Sequence, residues 1–188
     1  MEALTWAEIF SRMFYQLIPV WIAMIATFSI SIVYKRNLGL YGKLFDSKIG
    51  MIGFGIVMFW VFVGFFAGAL DLISTHDPLA QVSGMKNKVP GTPFRGADDD
   101  DYAFYLLGGD HLARDVFSRV MDGASIIIVI APLATLFAFM VGITLGLPAG
   151  YYGGKLDTIF SFLANLILAF PVILLFYLLV TPEIRMTG

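Results

Sequence analysis

The sequence predicts an all-α polytopic membrane protein with four transmembrane helices and one amphipathic interfacial helix. Three observations carry this. The chain of 188 residues is 59% hydrophobic and only 14% charged, whereas a soluble domain is closer to half apolar and a quarter charged. A core of this size cannot bury that excess, so lipid is the economical place for it. The apolar residues also fall into four charge-free runs, each near the roughly twenty residues that cross about 30 Å of hydrocarbon as a helix. The alternation of a membrane barrel is absent from these runs, and a lone strand would leave its backbone groups unpaired in lipid.

The first run, 13–34, is charge-free between Arg12 and Lys35. It is too long for a secretory signal, basic residues follow it and no A-x-A cleavage site is present, so it reads as a span. The second, 49–70, lies between Lys48 and Asp71; the third is 125–147 and the fourth 158–180. Lys35, Arg36, Lys43 and Lys48 crowd the short link between the first two runs, and basic residues near span ends favour the cytoplasmic side. The N-terminus and the loop 71–124 are therefore expected outside, with the turn 148–157 and its Lys155 inside.

No Asp, Glu, Lys, Arg or His falls within a span. Ion-coupled carriers usually place one there, so the expectation is a pathway wall driven by energy from elsewhere. The net charge of −2 argues against a nucleic-acid partner. The lack of cysteine removes disulfides, a thiolate nucleophile and a Cys-based metal site. No catalytic, cofactor or metal residue is expected.

Small residues recur at helical spacing: Gly64 and Gly68, then a ladder of Gly142, Gly146 and Gly150. Such spacing lets helix backbones approach closely, within the chain or at a subunit interface. Pro19, Pro132 and Pro171 each remove a backbone donor, and Pro171, placed mid-span, would kink a helix lining a pathway.

In the outer loop, four aspartates at 98–101 invite a calcium reading. An EF-hand needs glycine at its sixth position and Glu at its twelfth, but counting from Asp98 gives Ala103 and Gly109; a solvated acidic turn fits better. Asp110, His111, Arg114, Asp115 and Arg119 fall at helical pair spacings, Asp110 with Arg114, His111 with Asp115 and Asp115 with Arg119. Two histidines and no cysteine make zinc improbable. With Leu112, Val116, Phe117 and Val120 opposite, the segment reads as the amphipathic interfacial helix. The glycine-rich stretch 150–154 lacks a following GK[ST] and is read as a turn, not a phosphate loop.

The segment GGDHLARDVFSRVMDGA, 108–124, closely resembles the GTDHLGRDVFSR-type signature of peptide and nickel ABC-transporter permeases, of the second inner-membrane subunit type. LGLPAGYYGGKLDTIFSFLANLILAFP is similar to that family's glycine turn and following helix, and ISTHDPLA to the exit from its first helix. The likeness is specific over about 110–171 and looser over 47–80. It implies an importer of peptides or a similar small solute in the bacterial inner membrane. Its partners would be a second permease subunit, cytoplasmic ATPases and an external solute-binding protein.

On this reading 1–48 is an extra N-terminal transmembrane helix with a basic cytoplasmic loop, and 49–70 a transmembrane helix. The periplasmic loop with its interfacial helix is 71–124. The permease core begins in 125–188, truncated before the ATPase-coupling loop. Ala113 stands where the family commonly has glycine, and Ser125 where an arginine often follows Gly-Ala. No EAA-type coupling segment occurs within these 188 residues, so by themselves they are expected not to retain an ATPase. The rival reading is a non-transporting membrane anchor or interaction protein, or an inactive shortened permease. A membrane enzyme finds no nucleophile–base or metal constellation in the sequence.

Overall fold

A computed structural model describes residues 2–37, 39–95, 102–169, 171, 173, 174, 176 and 177. The acidic run 98–101 lies outside the described residues. Thr5 opens the first helix, α1 (Trp6–Gln16), with a capping box: its hydroxyl accepts from the Glu8 amide while its own amide donates to Glu8 Oε2 at 2.8 Å. Two orphan donors of the first turn are thereby satisfied. The helix breaks at Leu17. Pro19 then sits in the first turn of α2 (Ile18–Tyr34), where its missing N–H costs nothing. The expected first span is thus divided: it starts at Ile18, and α1 is a separate amphipathic helix.

A 3₁₀ turn (Lys35–Asn37) and the short α3 (Leu40–Leu44) lead into α4 (Lys48–Gly68), which Ser47 caps through the Gly50 amide. At this end Phe28, Tyr41, Phe45 and Phe54 pack as one aromatic cluster with centroids 5.3–6.0 Å apart. The Tyr41 hydroxyl meets Ser31 at 3.0 Å, so a hydroxyl otherwise costly in an apolar setting finds its partner. Toward the other end Trp21 packs on Phe59.

The chain divides into two compact units, Met1–Ala131 and Pro132–Gly188, the division falling within α5 (Val116–Tyr152). In the first unit, α4 meets the start of α5 through glycine. A Cβ on Gly64 would lie 2.7 Å from the Ala124 carbonyl oxygen, and one on Gly68 2.5 Å from Ser125 Cβ. Between 71 and 115 the chain forms a capping loop with a two-stranded antiparallel ribbon, β1 (Thr92–Pro93) against β2 (Phe104–Tyr105), Thr92 opposite Tyr105. Ile73 and Leu106 from this loop join Leu17, Val20, Val63, Ala67, Phe117, Met121 and Ala124 in the buried core.

Residues 110–115 are not helical, which corrects the expected interfacial helix. The segment is a turn closed by a bridge between Gly109 and Asp115, and α5 begins at Val116. Backbone and carboxylate bonds to Asp110 fold it tightly, as Asp does in Asx-turns. The third span is likewise longer than 125–147: α5 runs through Pro132 and Pro148. Its 37 residues exceed the roughly twenty that cross a bilayer as a helix.

In the second unit the turn narrows to Gly153 and Gly154, both at φ +61°, the left-handed region glycine enters freely. α6 (Gly154–Ala169) follows with 16 residues; Pro171 is not helical, and helical residues resume at 173 and 174. An apolar groove runs between these helices, lined by Gly142, Gly146 and Gly150 on α5 and by Phe160, Ala164 and Ile167 on α6. A Cβ on any of those three glycines would meet no atom outside its own helix within 4 Å. Among the described residues three stretches are long and apolar enough to cross a membrane: Ile18–Asn37, Lys48–Gly68 and Val116–Tyr152. Of the fourth expected span, the described residues show α6 and further helical residues at 173, 174, 176 and 177.

Candidate functional site

The start of α5 organises the loop above it. Asp115 sits where a helix cap belongs: Oδ1 accepts from the Phe117 amide and Oδ2 from the Ser118 amide, each at 3.2 Å. A carboxylate here satisfies orphan donors and meets the positive end of the helix dipole. Asp115 is nevertheless fully buried, so its remaining acceptor capacity must be filled from inside the protein. Ser118 Oγ donates at 2.7 Å and Thr75 Oγ1 lies at 2.8 Å. His76 Nδ1 completes the shell at 3.2 Å.

His76 is held from both sides. Its Nε2 lies 2.8 Å from the Tyr102 carbonyl oxygen, while Nδ1 faces Asp115. Phe94 and Tyr105 flank the ring at 4.6 and 4.9 Å. Ser118 Oγ accepts from the Thr75 and His76 amides at 3.0 and 2.9 Å. One buried carboxylate therefore ties residues 75, 76 and 102 to the first turn of α5. Burial by itself would push the Asp115 carboxyl up; hydrogen bonds from His76, Ser118 and Thr75 outweigh this and hold it below the ordinary value. Burial, reinforced by the charges of Asp115 and Asp110, pushes the Tyr105 phenol up to about 12.

A second carboxylate works one turn outward. Asp110 Oδ1 accepts from the Leu112 and Arg114 amides at 2.8 and 3.0 Å. Its Oδ2 takes Arg114 Nε and Nη2 at 2.9 Å and pairs with Arg119 Nη1. Partial burial opposes ionisation here too, but the Arg114 and Leu112 amides with the two guanidinium groups hold the carboxyl well below the usual range. The turn demands unusual backbone: Ala113 has φ +64°, which costs a non-glycine residue roughly 1–2 kcal/mol. Glycine would escape this cost. Gly108 and Gly109 are required by contact, since a Cβ would lie 2.3 Å from the Lys88 carbonyl oxygen or 2.0 Å from that of Met85.

Of the residues the sequence singled out, Asp110, Arg114 and Arg119 come together, while Asp115 belongs to the inner hub and His111 stands exposed, paired with neither. The expected Asp110–Arg114 pair forms, but across a turn; Arg119 joins Asp110 instead of Asp115 because the backbone there is not a helix. Thr75, His76, Tyr105 and Ser118 escaped sequence reasoning. The only hint was the polar string ISTHDP leaving the second apolar run, and its partners lie about forty residues away. The hub leaves no free nucleophile: the Ser118 hydroxyl is fully buried and spent on Asp115. Among the described residues no group of three or more His, Cys, Asp or Glu could hold a metal ion. The arrangement fixes a capping loop to the start of a long apolar helix.

Three long apolar helices bearing a pinned extramembrane loop define a multi-pass helical membrane protein. The chain is 30% identical over 135 residues to the dipeptide transport system permease protein DppC of Alkalihalophilus pseudofirmus, a match covering 72% of this chain and 40% of the relative. It is 31% identical over 137 residues to the protein of the same name from Bacillus subtilis, 73% of this chain and 38% of the relative. With the nickel transport system permease protein NikC of Escherichia coli it shares 32% over 78 residues, 42% and 28%. No family model matches the chain, and no solved structure does. Over the part matched, the chain belongs to the peptide and nickel ABC-transporter permease family. It spans less than half the length of these relatives.

Proposed function

We propose that the protein is a permease subunit of an ATP-binding-cassette importer that moves peptides or a similar small solute across the bacterial inner membrane. The observation that carries this reading is the seam at Gly108–Ala124, the family's signature segment. Here it is the joint at which the buried Asp115 pins the outer loop to α5. No Asp, Glu, Lys, Arg or His lies in the apolar stretch 123–154, so the driving energy comes from partner ATPases rather than from an ion bound within the membrane. A second permease subunit completes the pathway, the exposed ladder Gly142, Gly146 and Gly150 offering it a close helix contact. An external solute-binding protein delivers cargo to the loop side.

Deleting the encoding gene tests this. Uptake of a radiolabelled dipeptide mixture is expected to fall to the background of a strain lacking the associated ATPase. Loss of nickel-63 uptake with peptide uptake intact would move the cargo to the metal. Unchanged uptake of both would sink the transport reading in favour of an anchor.

The reading also fixes an orientation: the loop carrying Lys35, Arg36 and Lys43 inside, and residues 71–115 outside with α1. Leu4 donates to the Gly91 carbonyl at 3.0 Å, so the N-terminus and the loop share one side. Because the chain has no cysteine, Lys86→Cys and Lys43→Cys can be probed directly with an impermeant maleimide. Lys86→Cys is expected to label in intact spheroplasts and Lys43→Cys only after lysis; the reverse pattern inverts the topology.

A further inference from the structure

Helix α1 has three distinct sides. Ile9, Met13 and Gln16 face the capping loop. Ile9 is 1% exposed, and Gln16 Nε2 donates to the Ile73 carbonyl at 3.2 Å. Glu8, Ser11, Arg12 and Tyr15 form a polar side, from which Arg12 reaches over the Phe104 ring at 4.8 Å. The third side is Trp6, Phe10 and Phe14, at i, i+4 and i+8, yet 60%, 64% and 57% exposed. In water, three aligned and exposed aromatic rings would be costly.

The position of this side identifies its occupant. One residue, Leu17, separates α1 from α2. The candidate span Ile18–Asn37 has 20 residues, with Lys35 and Arg36 at its far end; at about 30 Å as a helix it crosses the hydrocarbon core without α1. The end of α1 therefore lies at the membrane boundary, where tryptophan and other amphipathic aromatic groups are favoured. A helix with one aromatic side and one charged side at that depth lies along the interface.

We propose that α1 is an interfacial strap: its aromatic side enters the headgroup–acyl boundary of the bilayer while its opposite flank holds the loop 71–115. The loop is thereby tied down twice, by Asp115 at the mouth of α5 and by α1 at the lipid surface. This places the amphipathic membrane-surface helix at the N-terminus rather than at residues 110–120.

The full chain in vesicles of phosphatidylethanolamine and phosphatidylglycerol provides the test. Single nitroxide labels are placed at Phe10→Cys, at Ala7→Cys, which removes no ring, and at Ser11→Cys on the polar side. At Phe10→Cys and Ala7→Cys, collisions with oxygen are expected to exceed those with a water-soluble nickel chelate severalfold, and at Ser11→Cys the order should reverse. Equal chelate access at all three positions would overturn the proposal by placing the aromatic side in water. Exclusion of both probes at Phe10→Cys and Ala7→Cys would overturn it in favour of a protein partner. As a second reading, Trp6 emission in Trp21→Phe/Trp60→Phe protein should be largely lost in shallow-brominated lipid; full retention there overturns lipid contact independently of the labels.

Discussion

Replacing Asp115 with alanine is expected to release the capping loop from α5. The carboxylate is fully buried and engages Thr75, His76, Ser118 and the Phe117 amide. Its removal strands those groups in a dry interior, and each buried donor left without its acceptor costs about 1–3 kcal/mol. The damage should be local. Amide exchange at residues 73–77 and 102–118 should accelerate, while the middle of α4 stays protected. Unchanged exchange at 73–77 would show that the hub does not hold the loop. Asp115→Asn, which keeps the shape but loses the charge, should fall between alanine and the native chain.

The sign of the pH dependence follows from the same geometry. Both Asp115 and Asp110 ionise more readily in the folded chain than a free aspartate, whose pKa is about 3.9. Their stabilisation is thus complete above about pH 4 and is lost as pH falls through the lowered folded values. Acidification below about pH 4 should loosen the loop progressively, and in Asp115→Asn that acid sensitivity should shrink.

The second large effect is expected from a single methyl group. In Gly64→Ala the new Cβ would approach the Ala124 carbonyl oxygen to 2.7 Å and the Ile128 Cδ1 to 3.0 Å. The first of these is backbone and cannot rotate away. Overpacking of this kind costs roughly 1–3 kcal/mol, against the roughly 1 kcal/mol by which alanine favours a helix over glycine. Gly53→Ala on the same helix meets nothing within 4 Å and should be neutral or stabilising. Denaturant titration in mixed micelles should therefore give opposite signs, or at least a clear gap, for the two substitutions. Equal stability for both variants would mean that α4 and α5 do not cross at Gly64.

Much of the protein was legible as sequence because lipid imposes few options. The apolar runs at 49–70 and 125–147 correspond to α4 and to the middle of α5, since a helix is the one way to hide such a run in hydrocarbon. Their ends were less legible. Pro19 divides the first run because, at the first turn of α2, it begins a helix instead of bending one. α5 passes through Pro132 and Pro148 with no break at either. The charges of Asp110 to Arg119 misled because charge spacing reads as helical whether or not the backbone follows.

By itself, then, the sequence determined the membrane class, two of the long helices and the signature segment that links the chain to transport permeases. Composition and run length fix these, and both are local quantities. Only the tertiary structure decided that Asp115 is buried with Thr75, His76 and Ser118, that Gly64 and Gly68 face Ala124 and Ser125, and that α1 is the amphipathic helix. Each depends on groups far apart in the chain meeting where water is excluded. A pattern of residue types along one segment carries no record of the partner that will cover it.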